Sequence, residues 1–251
     1  MTWLQFGETM DEKPHITTDE DVIPQVCRAC EARHGGICSV LNGSQLAALN
    51  KHSAKRTIDP GTEVVGQGEN VNTYSNILRG VVKLSKMMAD GRQQIVGLQF
   101  APDFLGRPFS RESSLTAEAA TTTEICAFPR AAVERMIADT PGLEHKLYDQ
   151  SLKELDEARD WMLTLGRKTA REKVASFLHL IATHIDPEAD DGCTFDLPLS
   201  RADIADFLGL TIETVSRQMT KLRKEKVILV ENNRHVTVPD IERLNEAAGN
   251  D

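Results

Sequence analysis

Three of the five cysteines in this chain, Cys27, Cys30 and Cys38, lie within twelve residues near its N-terminus. The segment that carries them is polar and is interrupted by a Gly pair, so a hydrophobic core does not require them there. Four thiolates hold a structural zinc ion or an iron–sulfur cluster, so three local cysteines leave one position for a residue from elsewhere in the fold. Only Cys126 and Cys193 are available as further thiols. The segment therefore predicts a metal site that ties the N-terminal region to a distant part of the chain.

The remaining composition is that of a globular chain. Of its 251 residues 40% are apolar, and no run approaches the roughly 20 consecutive apolar residues of a membrane helix. The first twenty residues carry several acids and lack the basic start and apolar centre of a signal peptide. We expect a cytoplasmic protein with no membrane partner. In that reducing compartment, an odd number of cysteines with Cys-x-x-Cys spacing favours metal or redox chemistry over disulfides.

The sequence predicts an acidic arm followed by a sensory domain that contains an antiparallel β-roll. Residues 1 to 26 carry six acids against one base and show no sustained apolar period, so we expect a flexible arm. A short helix, with Ser44 as its possible N-cap, follows the cysteines. From residue 57 to residue 128, short β-branched runs alternate with Gly-containing turns, which is typical of a small antiparallel barrel or roll. We assign residues 27 to 138 to this cysteine loop and roll.

Cys126 lies near the end of the last predicted strand of the roll. Because side chains alternate across a strand, Ile125 and Ala127 share one face, and Cys126 shares the other with Glu124. The Cys126 thiol can therefore reach a partner outside the core of the roll. Cys193 stands alone in an acidic loop, and we interpret it as having no part in the metal site.

A long dimerisation helix is predicted at residues 139 to 166. Thr140 and Pro141 form a helix start, and no Gly or Pro interrupts residues 143 to 165. Six side chains recur at alternating steps of three and four, which is the pattern of a coiled-coil seam and predicts a homodimer. These are Tyr148, Ser151, Leu155, Ala158, Met162 and Leu165.

The alternative is a helix that packs only on its own roll, through apolar side chains that lie partly off the seam. These are Leu143, Leu147, Leu152 and Trp161. The seam also contains two small residues, and residues 139 to 160 carry seven acids against three bases. We therefore expect a pairing weak enough to switch.

Residues 167 to 251 have the pattern of a winged helix-turn-helix DNA-binding domain. Ser200 opens a capping box for a short helix at residues 201 to 208, and Gly209 begins a tight turn. A second helix runs from residue 212 to about residue 224, with Thr211 as its cap. Two strands joined by an Asn-Asn turn follow over residues 227 to 238 and form the wing. The side chains expected to face inward from the second helix are Ile212, Val215, Met219 and Leu222.

The outward face of this second helix is suited to double-stranded DNA. Residues 211 to 226 carry five bases against two acids, although the whole chain has a net charge of -9. Arg217 would donate to a guanine edge, Glu213 would accept from cytosine N4, and Ser216 would contact a neighbouring base. Because one helix covers half of a palindrome, the predicted dimer would bind both halves. The predicted DNA-binding set is Thr211, Glu213, Thr214, Ser216, Arg217 and Lys221.

The order of these elements resembles the CRP/FNR superfamily of dimeric transcription regulators over about residues 27 to 238. Residues 213 to 217, Glu-Thr-Val-Ser-Arg, look like the recognition helix of its oxygen-responsive FNR branch. The four cysteines Cys27, Cys30, Cys38 and Cys126 match the positions at which FNR-type proteins ligate an oxygen-labile [4Fe-4S] cluster. The gap between Cys30 and Cys38 is longer than in the best-known member and is similar to that of FnrN- and FnrL-type homologues. The residues that look like the β-roll pattern of the family are Gly68-Glu69, Tyr74, Ile77, Gly80 and Val82.

This resemblance implies an oxygen-responsive transcription regulator, mainly an activator, that works with RNA polymerase. It implies a homodimer at low oxygen that binds palindromic promoter sites with half-sites like TTGAT. We expect the intact cluster to pin the N-terminal loop to the strand of Cys126 and to favour pairing of the long helix, whereas oxygen would dismantle it and return the protein to monomers. The nucleotide-binding branch needs a carboxylate and an arginine where this chain has Gly106-Arg107 and Leu115-Thr116. We therefore expect no cyclic nucleotide.

Two alternatives to the cluster stay open. Structural zinc would use Cys27, Cys30 and Cys38 with His34 or Cys126, and a metal-free regulator would bind DNA constitutively. An enzyme is not expected. The chain has no Gly-rich phosphate loop followed by Lys-Ser or Lys-Thr, no serine nucleophile elbow and no His-Glu-x-x-His.

Overall fold

The computed structural model describes residues 22 to 185 and 192 to 250. In these ranges a cysteine-containing segment, a β-roll, a long helix and a winged helix-turn-helix domain follow one another, so the predicted α+β architecture is confirmed. Residues 1 to 21 of the predicted acidic arm lie outside the described residues, as do residues 186 to 191 and 251. The end of that arm belongs to the fold, because Ile23 is buried and a helical turn begins at Gln25. In the part of the chain described, no helix combines the length and apolar character of a membrane span.

Short helices and a 3-10 turn lead the cysteines to the roll. Asn42 caps the last of these helices, α3, because its side chain accepts from the Gln45 amide at 2.9 Å and Gln45 Oε1 accepts from the Asn42 amide at 3.0 Å. The predicted cap, Ser44, lies inside the helix and donates to Asn42 at 2.8 Å. The bounds are α1 Gln25–Arg28, α2 Glu31–His34, the 3-10 turn Ile37–Val40 and α3 Gly43–Asn50.

The roll consists of two antiparallel sheets, and Ile77 and Val82 are buried in the core between them. One sheet has the strand order β1-β8-β3-β6 and the other β2-β7-β4-β5. The sequence did not predict β1, whose side chains are mostly exposed, or β7, which reads Thr-Ala-Glu-Ala. The strands are β1 Ala54–Ile58, β2 Glu63–Val65, β3 Thr73–Arg79, β4 Val81–Met87, β5 Gln93–Phe100, β6 Phe104–Leu105, β7 Thr116–Ala119 and β8 Thr123–Pro129.

The long predicted helix, α5, spans Pro141–Arg167 and follows α4, Arg130–Asp139. Leu143 is buried on its inner face, and the Trp161 ring lies 4.5 Å from the Phe207 ring between centroids. The predicted cap Thr140 makes no side-chain bond to the helix, because its hydroxyl accepts instead from Gln45 Nε2 at 3.0 Å. One end of α5 is therefore tied to α3.

The other face of α5 is open to solvent in the single chain. Five of the six predicted seam residues are exposed, namely Tyr148, Ser151, Leu155, Ala158 and Met162. Leu165 is half-buried, because the last turns of α5 lie against the C-terminal domain. Of the four side chains named for the alternative, Leu152 is exposed beside the seam, whereas Leu143, Leu147 and Trp161 pack on hydrophobic clusters of the same chain. The helix thus has one face packed on its own domains and one apolar face that no other described residue of the chain covers.

The C-terminal domain is a winged helix-turn-helix. Ser200 and Asp203 form the predicted capping box, and Gly209 ends the first helix at φ 61°, a left-handed conformation that favours glycine. Asn232 and Asn233 have positive φ at the wing turn, where Asn is tolerated better than most residues. The wing belongs to a sheet of order β10-β11-β9, so the hairpin is extended by β9. The bounds are α6 Ala170–Ile185, β9 Cys193–Asp196, α7 Arg201–Leu208, α8 Ile212–Lys224, β10 Leu229–Glu231, β11 His235–Val238 and α9 Ile241–Ala247.

One hydrophobic cluster crosses from the roll into the C-terminal domain. Val81, Ile95 and Phe100 of the roll belong to the same cluster as the buried residues of α6, α7 and α8. The Phe100 ring stacks on His184 with a centroid distance of 4.2 Å. The two domains are therefore joined by packed side chains as well as by α5.

An ion pair marks the edge of this interface. Lys83 Nζ on β4 lies 2.9 Å from Glu118 Oε1 and 3.0 Å from Asp203 Oδ1, and the Lys83 side chain is only 15% exposed. Asp203 also closes the capping box of α7. The same carboxylate therefore stabilises the domain contact and the start of a helix of the helix-turn-helix domain.

We predict that Lys83→Ala lowers the free energy of unfolding by about 1–3 kcal/mol, because it leaves two partly buried carboxylates without their cation. Chemical denaturation followed by circular dichroism measures this change. Arg92→Ala is the matched control, since its pair with Asp90 is exposed and should contribute less than about 1 kcal/mol. Equal effects of the two substitutions would contradict the prediction.

Candidate metal centre and nucleic-acid interface

The four predicted cysteine ligands line one cavity between the N-terminal segment and the roll. Cys27 comes from α1, Cys30 precedes α2, Cys38 lies in the 3-10 turn, and Cys126 lies on β8. Cys126 is half-buried between the buried Ile125 and Ala127, as strand alternation predicted. The remaining residues of the wall are Arg33, Leu46, Leu49, Asn50, Ser53, Asn76 and Phe128.

A close approach of backbone holds the cysteine segment against the roll. A Cβ placed on Gly36 would lie 2.8 Å from the Pro102 carbonyl oxygen and 3.0 Å from that of Ala32. A larger residue at position 36 would therefore push the segment away from the roll. This contact explains why the loop between Cys30 and Cys38 contains glycine.

The environment of the cavity disfavours free thiolates. Burial raises the pKa of the Cys38 thiol to about 12, although a hydrogen bond from Asn76 acts in the opposite direction. Burial also raises the pKa of Cys27 and Cys126, and neighbouring cysteines add to this effect while Lys55 opposes it. These three thiols are therefore protonated at neutral pH unless a cation compensates them. A metal that binds here must displace protons, so its binding weakens as pH falls.

The arrangement of the donors differs from that of a site for one ion. A single zinc ion with four thiolates needs sulfur atoms about 3.8 Å apart, from Zn–S bonds of about 2.3 Å in a tetrahedron. Among residues 22 to 185 and 192 to 250, no three Cys, His, Asp or Glu side chains lie close enough to hold one ion. His34, the alternative zinc ligand, does not line the cavity. Four thiols around one cavity are also the donor set of an iron–sulfur cluster, whose ligands are Cys thiolates.

Cys193 lies far from this cavity. It begins β9, where it pairs with Val238, and it packs on the core of the C-terminal domain. Its position agrees with the interpretation that it has no part in the cysteine site.

A second cavity, of about 200 Å³, lies inside the roll. Its walls contain charged side chains from separate elements, including Arg56, Arg107, Glu112 and Glu154. Arg107 is held by Ser114, to which its Nη1 donates at 2.7 Å. Sequence inspection missed this group because its members are far apart in the chain and share no local spacing. The expected absence of a cyclic nucleotide stays a prediction.

Helix α8 presents the predicted DNA-binding residues on its outer side. Glu213, Ser216, Arg217 and Lys221 are exposed, while Val215, Met219 and Leu222 are buried as predicted. Ile212 is 48% exposed, so its prediction as an inward residue was wrong. It occupies the first helical position, where the core of the domain does not yet cover it.

Four of the predicted DNA-binding residues are hydrogen-bonded to one another. The Thr211 hydroxyl accepts from the Thr214 amide at 3.2 Å and caps α8. Thr214 Oγ1 in turn accepts from Arg217 Nη2 at 3.4 Å, which orients the guanidinium along the helix surface. The pKa of the Glu213 carboxyl is lowered by hydrogen bonds from its own backbone amide and from Thr211, so it is ionised at neutral pH. Arg217 and Glu213 are therefore presented as a cation and an anion in fixed order along the helix.

The C-terminal turn of α8 adds positive charge. Lys221, Arg223 and Lys224 lie in its last turn, where they complement the helix dipole and are exposed to solvent. Such a cluster next to base-reading side chains suits contacts to phosphate groups. The outer face of α8 thus has the chemistry of a recognition helix for the major groove.

Comparisons with known proteins agree with this architecture. Residues 55 to 140 match the model of the cyclic nucleotide-binding domain, and residues 172 to 247 match that of the Crp-like helix-turn-helix domain. A Rhizobium leguminosarum bv. viciae protein described as a probable transcriptional activator is 64% identical over 88% of this chain and 92% of its own. The transcriptional activator protein FnrL of Cereibacter sphaeroides is 42% identical over 90% of this chain and 92% of its own.

A solved structure shows the same fold. FixK2 from Bradyrhizobium japonicum superimposes with a TM-score of 0.70 and 31% identity, covering 78% of this chain and 96% of that chain. The Rhizobium and Cereibacter relatives are both described as transcriptional activators. Identity at this level over nearly the whole chain confirms the family that the motifs predicted. This chain belongs to the CRP/FNR family of transcription regulators, as a DNA-binding activator of its FNR and FixK type.

Proposed function

We propose that this activator senses oxygen through a [4Fe-4S] cluster held by Cys27, Cys30, Cys38 and Cys126, and binds palindromic promoter sites as a homodimer. The observation that carries the proposal is the meeting of these four thiols at one cavity, although Cys126 is distant from the others in the chain. When bound, such a cluster would make the protein sensitive to oxygen, because oxygen dismantles it. The DNA-bound dimer, formed while the cluster is intact, would act on RNA polymerase as an activator.

The contacts of the cysteine segment support a path from the thiols to α5. The 3-10 turn that contains Cys38 packs on the start of α5, and Ile37, Cys38 and Leu143 belong to one hydrophobic cluster. The hydrogen bond from Gln45 to Thr140 fixes the same end of the helix. Displacing the Cys38 turn would therefore disturb the first turns of α5.

The exposed face of α5 supports pairing with a second copy. Tyr148, Leu155 and Met162 are 59%, 45% and 72% exposed, and they follow one another along the helix at coiled-coil spacing. A row of exposed apolar side chains on a helix is commonly an interface. The homodimer would bring two copies of α8 to successive half-sites of a palindrome.

The spectrum of anaerobically purified protein, with iron and sulfide assays before and after exposure to air, tests the proposal. A broad visible absorbance that bleaches in air, together with a change from dimer to monomer in light scattering, is expected. Colourless protein that contains zinc, or protein without metal, would leave a DNA-binding regulator that does not sense oxygen.

We predict that Cys126→Ser removes the visible absorbance and the low-oxygen dimer, because one of the four thiolates is lost from the cavity. Cys193→Ser is the control and should keep both, since Cys193 lies in another domain. Iron content, absorbance and light scattering under anaerobic conditions give the measurements. A Cys126→Ser variant with an oxygen-sensitive cluster and dimer would overturn the assignment of this ligand.

We predict that Leu155→Glu prevents dimerisation but keeps the cluster, because it places a charge on the exposed apolar face of α5. Lys153→Glu places the same charge on another face of the helix, where Lys153 pairs with Glu157, and should leave the dimer intact. Anaerobic light scattering distinguishes the variants. If the Leu155→Glu variant still forms a dimer, the dimer interface lies on a different surface of the protein.

We predict that Arg217→Ala weakens discrimination at one base pair of each half-site by about 1–3 kcal/mol, because a donor to a guanine edge is lost. Lys224→Ala, which removes an exposed charge at the helix end, should instead weaken binding to all sequences about equally and reduce the salt dependence. Binding to a set of sites with single base changes, at several salt concentrations, separates the two. If Arg217→Ala weakens binding to all sequences equally, Arg217 contacts a phosphate group and not a base.

A further inference from the structure

The wall of the cysteine cavity contains a buried amide, Asn76, which the sequence patterns do not explain. Asn76 lies on β3 opposite Cys126 of β8 and is 1% exposed. Tyr74, two residues earlier on the same face of the strand, belongs to the hydrophobic cluster that lines this side of the roll. An apolar residue would therefore be expected at position 76.

The hydrogen bonds of Asn76 are incomplete within the described chain. Its Nδ2 donates to Cys38 Sγ at 3.3 Å, whereas its Oδ1 is buried and has no hydrogen-bond partner there. A buried acceptor without a partner destabilises a fold, and a neutral thiol is a weak acceptor for the N–H. Folding of the metal-free protein thus gains little from an amide here. The geometry points to a role that begins when Cys38 becomes a charged ligand.

We propose that Asn76 is a positioning residue for the metal centre, one that donates a hydrogen bond to the Cys38 thiolate and slows attack by oxygen. This inference rests on the function proposed above. A hydrogen bond to a thiolate is charge-assisted and stronger than one to a thiol. Hydrogen bonds to ligand sulfur are among the features that set the potential of a cluster. The hydrogen bond from Asn76 withdraws negative charge from the Cys38 sulfur. An electron is then lost less readily from the bound centre, and Asn76 thereby sets the oxygen tolerance of the site.

The test compares Asn76→Leu with a matched control, Gln99→Leu. Gln99 is also a buried amide, 7% exposed, whose Oε1 has no hydrogen-bond partner among the described residues, but it lines the cavity of the roll and not the cysteine cavity. Each protein is reconstituted anaerobically with ferrous iron and sulfide. The measurements are iron and sulfide per chain, the reduction potential, and the rate at which visible absorbance decays at one fixed oxygen concentration.

We expect Asn76→Leu to lose its absorbance faster than the wild type or to retain iron about 10- to 100-fold more weakly, the usual effect of removing a partner of a metal ligand. Its reduction potential should be more negative, a change that a purely structural role would not produce. Gln99→Leu should decay at the wild-type rate. The thermal midpoint of metal-free Asn76→Leu should equal or exceed that of the wild type, because the unpartnered oxygen is gone.

Three results separate the possible failures. A colourless wild type after reconstitution contradicts the proposed function itself. A coloured wild type with Asn76→Leu unchanged in iron content, potential and decay rate overturns the role of Asn76 alone. If Asn76→Leu does not fold, Asn76→Ala replaces it, since alanine has no side-chain N–H to donate, and wild-type decay in that variant overturns the inference.

Discussion

The 3-10 turn Ile37–Val40, which contains Cys38, is buried against the start of α5, and the other features depend on this contact. The turn lies between the cysteine cavity and Leu143. It therefore contacts both the candidate sensor and the helix that leads to the DNA-binding domain. Gly36 allows this position, because a side chain there would meet the backbone of Pro102. A packed turn of this kind has few intermediate positions, so under the proposed function a change at the thiols would reach α5 as a discrete shift.

Features set by local sequence were predicted well. The capping box at Ser200, the left-handed Gly209 and the inward positions Val215 and Leu222 are properties of single helices and turns, so the helix-turn-helix could be recognised directly. The alternation that turns Cys126 away from the core of the roll is likewise local. The cysteine spacing predicted a distant fourth ligand. The structure brings the thiol of Cys126 to the same cavity, and its role as a ligand stays a prediction.

Features that depend on tertiary contacts were missed. Asn76 looks like an ordinary strand residue until β3 is paired with β8 and covered by the Cys38 turn. Thr140 has the residue type and position of a cap, yet its hydroxyl accepts a hydrogen bond from Gln45, which is distant in the chain. Ile212 has the periodicity of a core residue, but the domain does not extend over the first turn of α8. For Asn76 and Thr140 a partner far away in the chain decides the outcome, and for Ile212 the extent of the domain core decides it. No local pattern contains that information.

The hydrophobic cluster that crosses from the roll into the C-terminal domain affects how the protein unfolds. Because Val81 and Phe100 share a core with α6 and α7, and Asp203 serves both the interface and a helix cap, neither domain keeps all its contacts when the other unfolds. The two family domains should therefore melt in one cooperative transition and not in two separate ones. Amide protons in α7 would then be protected from exchange by the roll, although they belong to a different domain.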